Sequence, residues 1–264
     1  METKVTKTAL VTGAASGLGF ELALLLAKDA YNLILLDIDS EKLEAAKIQI
    51  LKNHQIEITI LVKDLSGIDI AEEVYNETRH IPIDVLINNA GFGVFGLFCE
   101  TDWKRESQML HLHVLTTTQL IKLLLPDMMA RGSGKILNVS SLAAFQPGPM
   151  MALYYASKAY LLSFSQAIAN ELIGTGVSVT VLCPGPTKTA FQHVVSEDCE
   201  DNKIGFNMAC PKKVATYGYK AMHRGTTVAI PGLFNKFLSI LPRMLTRKRA
   251  TKIMRTIQDK NRHS

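Results

Sequence analysis

A strand that runs straight into a glycine-rich turn and an apolar helix constrains this chain more than any other stretch. Thr8-Ala9-Leu10-Val11-Thr12 is followed by Gly13-Ala14-Ala15-Ser16-Gly17-Leu18-Gly19, and then by an apolar run from Phe20 to Ala27. The glycines permit a tight turn and close backbone approach, and the helix N-terminus offers unpaired N–H groups and a positive dipole end, the layout that cradles a pyrophosphate. The spacing is G-x-x-x-G-x-G rather than G-x-G-x-x-G, and glycine-rich turns also serve purely structural ends, so the turn alone leaves both readings open. The alternation continues down the chain: strands are expected at about 5–12, 32–37, 56–63, 83–87, 134–140, 177–183 and 226–230, and helices at about 17–29, 40–53, 66–79, 101–130, 152–173 and 211–223. Strands such as Asn32-Leu33-Ile34-Leu35-Leu36 are continuously apolar, as a parallel sheet covered on both faces requires. With 264 residues, 47% of them hydrophobic, and no low-complexity linker, the chain has the material for one large α/β domain.

A second constellation carries chemistry. Tyr154 and Lys158 are four residues apart in Tyr154-Tyr155-Ala156-Ser157-Lys158, which on a helix puts a phenol and an ammonium on one face. An unperturbed tyrosine titrates near ~10, and a nearby positive charge is expected to lower that value, so the pair can exchange a proton with an alcohol or carbonyl. Thirteen residues before Tyr154 lies Ser141, at the end of the buried-strand pattern Lys135-Ile136-Leu137-Asn138-Val139-Ser140-Ser141.

Together these residues resemble the short-chain dehydrogenase/reductase family from about residue 5 to residue 232. The matching pieces are Thr12-Gly13-x-x-x-Gly17-x-Gly19, Asn88-Asn89-Ala90-Gly91, Ser141, Tyr154-x-x-x-Lys158 and Pro184-Gly185. Longer runs around Asn89 and Tyr154 are similar to a bacterial subgroup of hydroxysteroid and 3-oxoacyl reductases. The resemblance implies a single-domain Rossmann fold with a doubly wound, parallel, seven-stranded sheet in the order 3-2-1-4-5-6-7, helices on both faces, and the ligand at the carboxyl ends of the strands. It implies a domain over residues 1–232, with a substrate loop at about 187–210, and a C-terminal extension over 233–264. It further implies hydride transfer between a nicotinamide and a carbonyl or secondary alcohol. Ser141 would bind the substrate oxygen, Tyr154 would move the proton, and Lys158 would lower the tyrosine pKa and hold the nicotinamide ribose. The thirteen-residue offset selects Ser141 over Ser140. A nucleotide-binding regulatory or scaffold protein with weak turnover is the alternative. An apolar pocket is expected from Leu142, Phe145, Met150, Met151 and the loop around Phe191, and so a hydrophobic substrate.

Cofactor choice turns on Asp37, the first polar residue after the second strand. A carboxylate there accepts hydrogen bonds from ribose hydroxyls of NAD and repels the 2′-phosphate of NADP. Ile38-Asp39-Ser40 supplies no arginine and Ser16 is not basic, so NAD is expected over NADP. The competing role, a helix cap, fits Ser40 better than Asp37. The resemblance places Gly13, Ser16, Gly17, Leu18 and Gly19 around the pyrophosphate, and Asp64 and Leu65 near the adenine. It places Asn89, Ala90 and Gly91 along the cofactor cleft, and Pro184, Gly185, Thr187 and Thr189 near the nicotinamide. One position departs from the family: where many members carry an asparagine that holds a water beside the lysine, this chain has His113. A histidine can hold such a water, tie the relay to pH, or simply pack in a helix interface. A metal site is not expected, since His111 and His113 are two apart and diverge on a helix.

Charge is concentrated at one end. Arg243 to Ser264 holds eight Lys/Arg and one Asp, a net of +7 against +5 for the whole chain, so residues 1–242 carry about −2. Just before it, Leu233, Phe234, Phe237, Leu238, Leu241, Met244 and Leu245 recur at helical spacing. This pattern suits a lid or oligomer-contacting helix followed by a solvated basic helix, or a peripheral membrane contact. Nucleic-acid binding is not expected, because no motif accompanies the charge. The polar start Met1 to Lys7 reads as no signal peptide, and no apolar run approaches the ~20 residues that span a bilayer. Cys99, Cys183, Cys199 and Cys210 have no C-x-x-C spacing and are expected as free thiols of a cytoplasmic homodimer or homotetramer.

Overall fold

The computed structural model describes residues 7–187 and 209–262, with side chains described as far as residue 259. Seven strands, β1 (Thr8–Thr12), β2 (Asn32–Asp37), β3 (Ile58–Val62), β4 (Ile83–Asn88), β5 (Gly134–Val139), β6 (Val177–Leu182) and β7 (Val228–Ala229), form one sheet in the order β3-β2-β1-β4-β5-β6-β7. Every strand pair is parallel. Helices α1 (Gly17–Lys28), α2 (Ser40–Leu51), α3 (Ile70–Thr78), α4 (Trp103–Leu110), α5 (Thr117–Ala130), α6 (Ala152–Glu171) and α7 (Pro211–His223) supply the crossovers, and α8 (Leu233–Met244) and α9 (Arg247–Arg262) follow the last strand.

The continuous apolar strands are explained by two cores, one on each face of the sheet. Ala9, Val11, Leu33, Leu35, Val85 and Ile87 pack with α1 and α7 residues such as Leu22, Leu26, Val214 and Met222. The alternate residues Leu10, Ile34, Leu36, Leu86 and Ile136 pack with Val74 of α3 and Leu120, Ile121 and Leu124 of α5. Successive side chains of a strand point to opposite faces, so only a strand apolar at every position fills both layers. Trimming one of these buried leucines to alanine costs about 2–5 kcal/mol.

The expected helix over 101–130 is one rod with a change of pitch. Between α4 and α5, His111–Thr116 form a π-helical turn, and the Thr117 hydroxyl donates to the Leu112 carbonyl five residues back at 3.0 Å. Such turns add a residue to the helix and re-aim the side chains beyond it. Helix α2 is capped by Asp39, whose carboxylate accepts from the Lys42 N–H at 3.0 Å, and not by Ser40 as expected. Asp39 has the extended backbone that an N-cap needs, whereas Ser40 is already helical. Cys210 is disulfide-bonded, which corrects the free-thiol expectation there, while Cys99 and Cys183 are free. Among the described residues no helix is long and apolar enough to cross a membrane, and no cluster of His, Cys, Asp and Glu could hold a metal.

Candidate active site

The glycine turn is built for close approach. Gly13 and Gly17 have φ of 64° and 56°, a region that favours glycine. A Cβ on Gly19 would lie 2.0 Å from the Gly13 carbonyl oxygen, so that position tolerates no side chain. Ser16 is the N-cap of α1 but makes no side-chain cap bond, and no acid sits in the first turn, so the helix end keeps its positive character toward a ligand. Leu18 is buried. The wall opposite is held by Thr12, whose hydroxyl accepts the N–H groups of Asn89 and Ala90, each at 3.0 Å. The Asn89 amide donates back to the carbonyls of Thr12 and Gly13 at 3.0 Å. A small-residue turn, an uncapped helix start and a braced opposite wall fit a dinucleotide.

Asp37 lies at the end of β2 beside this turn. Its carboxylate accepts from the N–H groups of Ala15 at 3.0 Å, Ile38 at 2.8 Å and Asp39 at 3.2 Å. Asp64 accepts from the Ser66 N–H and hydroxyl at 2.9 and 2.7 Å. The Leu65 carbonyl accepts from Thr116 at 2.8 Å, tying the loop after β3 to the π turn. Pro184 accepts from the Leu142 N–H at 2.9 Å, and Gly185 from the Thr187 hydroxyl at 3.0 Å. Thr189 and Phe191 lie outside the described residues, as does nearly all of the expected loop at 187–210.

At the carboxyl ends of β4 and β5 the structure brings Ser141, Tyr154, Lys158 and His113 together. Ser141 begins the 3₁₀ turn Leu142–Phe145, and its hydroxyl accepts from the Ala143 N–H at 3.1 Å. Tyr154 is in the first turn of α6, and the Lys158 ammonium lies 5.8 Å from its ring centroid. Lys158 is buried and donates to the Val139 carbonyl at 3.0 Å, while the Ser140 hydroxyl donates to the Lys158 carbonyl at 2.8 Å. The β5 end therefore grips the lysine at both its head and its backbone. Burial lowers the Lys158 pKa to about 8. Burial also raises the Tyr154 pKa, with the Ser141 hydroxyl as a partial offset. This reverses the expectation that Lys158 would lower it, because desolvation penalises both charged forms.

His113 sits in the π turn, 2% exposed. The Phe92 N–H donates to its Nε2 at 3.2 Å, so Nδ1 carries the proton and donates to the Ser157 hydroxyl at 3.0 Å. That hydroxyl in turn donates to the Tyr154 carbonyl at 2.8 Å. The imidazole edge meets the Tyr154 ring with centroids 5.9 Å apart. Gly91 leaves room for the ring, since a Cβ there would lie 2.6 Å from Nε2. Burial, with the Lys158 charge second, holds the His113 pKa well below its ordinary value. The expectation of a histidine titrating near neutrality is thereby corrected. Both ring nitrogens are satisfied by the protein, which leaves no free nitrogen for a water.

Several contributors were not legible beforehand. Ser157 and the Val139 carbonyl are ordinary in sequence and matter only through what they touch. Met254 and Gln258 of α9 reach the site from the far end of the chain. Met254 packs with Ala143, Tyr155, Met151 and Tyr154, and the Gln258 amide donates to the Tyr155 phenol at 3.1 Å. The spacing of buried Ala250, Met254 and Gln258 was the available signal. Met150, expected in a substrate pocket, is 4% exposed with a left-handed φ of 66°, and is turned into the protein.

Known proteins agree with this geometry. A family model described as short chain dehydrogenase matches residues 7–200. The chain is 33% identical to the ketoacyl reductase HetN of Nostoc sp. over 234 residues, 87% of this chain and 80% of the relative. It is 29% identical to a very-long-chain 3-oxoacyl-CoA reductase of Anas platyrhynchos over 246 residues, 89% of this chain and 75% of the relative. The fold matches a short-chain dehydrogenase from Sphingobium yanoikuyae in complex with NADPH, with TM-score 0.78 and 27% identity over 86% of this chain and 88% of that one. A glycine-lined nucleotide cradle on a seven-stranded parallel sheet, matched over most of its length, makes this chain a member of the short-chain dehydrogenase family, an NAD(P)-dependent oxidoreductase acting on CH–OH groups.

Proposed function

We propose that the protein interconverts a hydrophobic carbonyl compound and its secondary alcohol, preferring NAD(H), through Ser141, Tyr154 and Lys158. The observation that carries this reading is the Tyr154 phenol set within electrostatic reach of the Ser141 hydroxyl, with the Lys158 ammonium 5.8 Å from the Tyr154 ring centroid. Ser141 holds the substrate oxygen, and Tyr154 passes a proton between its phenol oxygen and that atom. When bound, the nicotinamide supplies or accepts the hydride. Gly13, Ser16, Gly17, Leu18 and Gly19 receive the pyrophosphate, and Asn89, Ala90 and Gly91 form the wall of the cleft. Asp64 and Leu65 flank the adenine. Pro184, Gly185, Thr187 and Thr189 flank the nicotinamide, and Lys158 binds its ribose. His113 braces Tyr154 through Ser157 and is a positioning residue on this reading.

NAD is favoured by Asp37 and by what surrounds it. Lys42, the nearby base that would suit a 2′-phosphate, is paired with Asp39. Half-buried Leu142 and Phe145, and relatives named for acyl substrates, support a hydrophobic substrate. We further infer a domain over 1–232 with an extension over 233–264, working in the cytoplasm as a homodimer or homotetramer. Exposed Leu115 and Tyr160 offer a face for a second copy. Purified protein given NADH or NADPH and a panel of aliphatic, acyl and steroidal ketones is expected to oxidise NADH fastest with the apolar members. No turnover with any ketone or alcohol would overturn the proposal.

A further inference from the structure

The C-terminal helices carry a surface that the oxidoreductase site does not use. On α8, Leu233, Phe237, Ile240 and Met244 recur at i, i+4, i+7 and i+11, one face of a helix, and are 84%, 57%, 54% and 77% exposed. Phe234 widens the stripe and is 64% exposed. An exposed apolar stripe of this length needs a partner. Lys236 and Arg243 flank it, and neither α8 nor the start of α9 carries an acid. Over residues 233–262 nine Lys and Arg side chains stand against one carboxylate, Asp259, and that is paired with Arg255 at 2.8 Å.

We propose that α8, with the basic outer side of α9, is a docking surface for an anionic lipid bilayer, the apolar stripe entering the interface and the basic side chains facing the headgroups. Charge selects this occupant over a second copy of the chain, because two such faces would bring like charges together, whereas an anionic surface attracts each of them. The fold anchors the surface on both helices. The inner side of α9 is anchored by buried Ala250, Met254 and Gln258, and α8 packs on the 3₁₀ turn that begins at Ser141. Docking therefore brings the Ser141 turn close to the bilayer.

Co-sedimentation of the full-length protein tests this, with vesicles of phosphatidylcholine alone or mixed with phosphatidylglycerol. Removing the chain after Pro242 is unsuitable, because it would take Met254 and Gln258 away from Tyr155. Wild-type protein is expected to sediment with the mixed vesicles only, and to be released by salt, which screens exposed charge over ~10 Å at 0.1 M. Lys248→Ser with Arg249→Ser should lower the partition about thirty-fold, from ~1 kcal/mol per basic residue. Phe234→Ala with Phe237→Ala should lower it about tenfold or more through lost apolar burial. Circular dichroism checks that each variant folds, and Leu233→Ser with Met244→Ser repeats the apolar test should the phenylalanine pair fail to fold. No sedimentation at low salt, equal binding to both vesicle types, or binding untouched by these variants would overturn the proposal. So would a dimer in sedimentation velocity that the phenylalanine variant dissociates, since a second copy would then own the stripe.

Discussion

His113→Asn separates a neutral brace from a titrating relay. The ring is 2% exposed, accepts from the Phe92 N–H at 3.2 Å and bonds Ser157 at 3.0 Å. An asparagine is too short to span both partners, so one buried polar group loses its bond at ~1–3 kcal/mol. The space left by the ring adds ~1 kcal/mol or more, for a total near 2–4 kcal/mol at neutral pH. The pH dependence is more diagnostic. In the unfolded chain His113 titrates near its ordinary 6.5, while burial holds the folded value well below that. The stability due to a neutral His113 is therefore fully present above 6.5. As pH falls below 6.5 it is lost at ~1.4 kcal/mol per pH unit, because only the unfolded chain takes up the proton. The variant lacks this slope, so its deficit should shrink on acidification. Urea unfolding of both proteins from about pH 8 to pH 5 reads the difference directly. A deficit independent of pH would refute the neutral-brace argument. A changed shape of the pH–turnover profile in His113→Asn would refute it separately, by placing the imidazole in the proton relay.

Tyr154→Phe should lower turnover by about 10²–10⁴-fold while leaving NADH affinity unchanged. Tyr155→Phe should leave most turnover intact and cost ~1 kcal/mol in a thermal melt, because the hydrogen bond from the Gln258 amide to the phenol is lost. Equal kinetic losses in the two variants would defeat the assignment of the donor. Asp37→Ala should weaken NAD and improve NADP relative to wild type in cofactor titrations, and a wild-type preference for NADP would count against Asp37 as the selector. Gly91→Ala should destabilise by ~1–3 kcal/mol, since its Cβ meets the His113 ring at 2.6 Å, and His113→Ser in the same chain should recover part of the loss in a double-mutant cycle. Finally, kcat/KM for ketone reduction should fall as pH rises past about 8, where the depressed Lys158 loses its charge in the free enzyme. A profile flat to pH 10 would mean that the ammonium is held more strongly than its burial implies.

The fold was legible because its signals are local and redundant. Leu10 and Val11 belong to different cores, yet both had to be apolar, and a short run without alternation fits a strand covered on two sides. The glycine spacing marked the turn because a side chain on Gly19 would run into the Gly13 carbonyl and one on Gly13 into Asn89 and Ala90, constraints that only glycine satisfies. What stayed hidden depended on contacts far apart in sequence. The π turn at His111–Thr116 has ordinary helical composition, and it is held by partners in the loop after β3 and in α6, through Thr116 on Leu65 and His113 on Ser157. The α9 contribution was masked by its charge: a helix with five Lys and Arg among its first nine residues reads as solvated, although every fourth residue from Ala250 is buried.

The electrostatics of Tyr154 and Lys158 show the same boundary between spacing and environment. Four residues of separation gave the face and the pairing, but not the sign of the tyrosine shift. That sign depends on burial, which the pattern around Tyr154 does not encode. With the phenol raised by desolvation and the ammonium lowered to about 8, both groups stay protonated at neutral pH. A protonated phenol beside Ser141 is ready to give a proton to a carbonyl oxygen. Taking one from an alcohol first requires an ionised phenol, which the burial of this site opposes. On the roles proposed for them, these side chains are protonated as carbonyl reduction requires near neutrality. Any gain for oxidation on raising the pH must compete with the loss of charge on Lys158, so reduction and oxidation should differ most in their pH optima on the alkaline side.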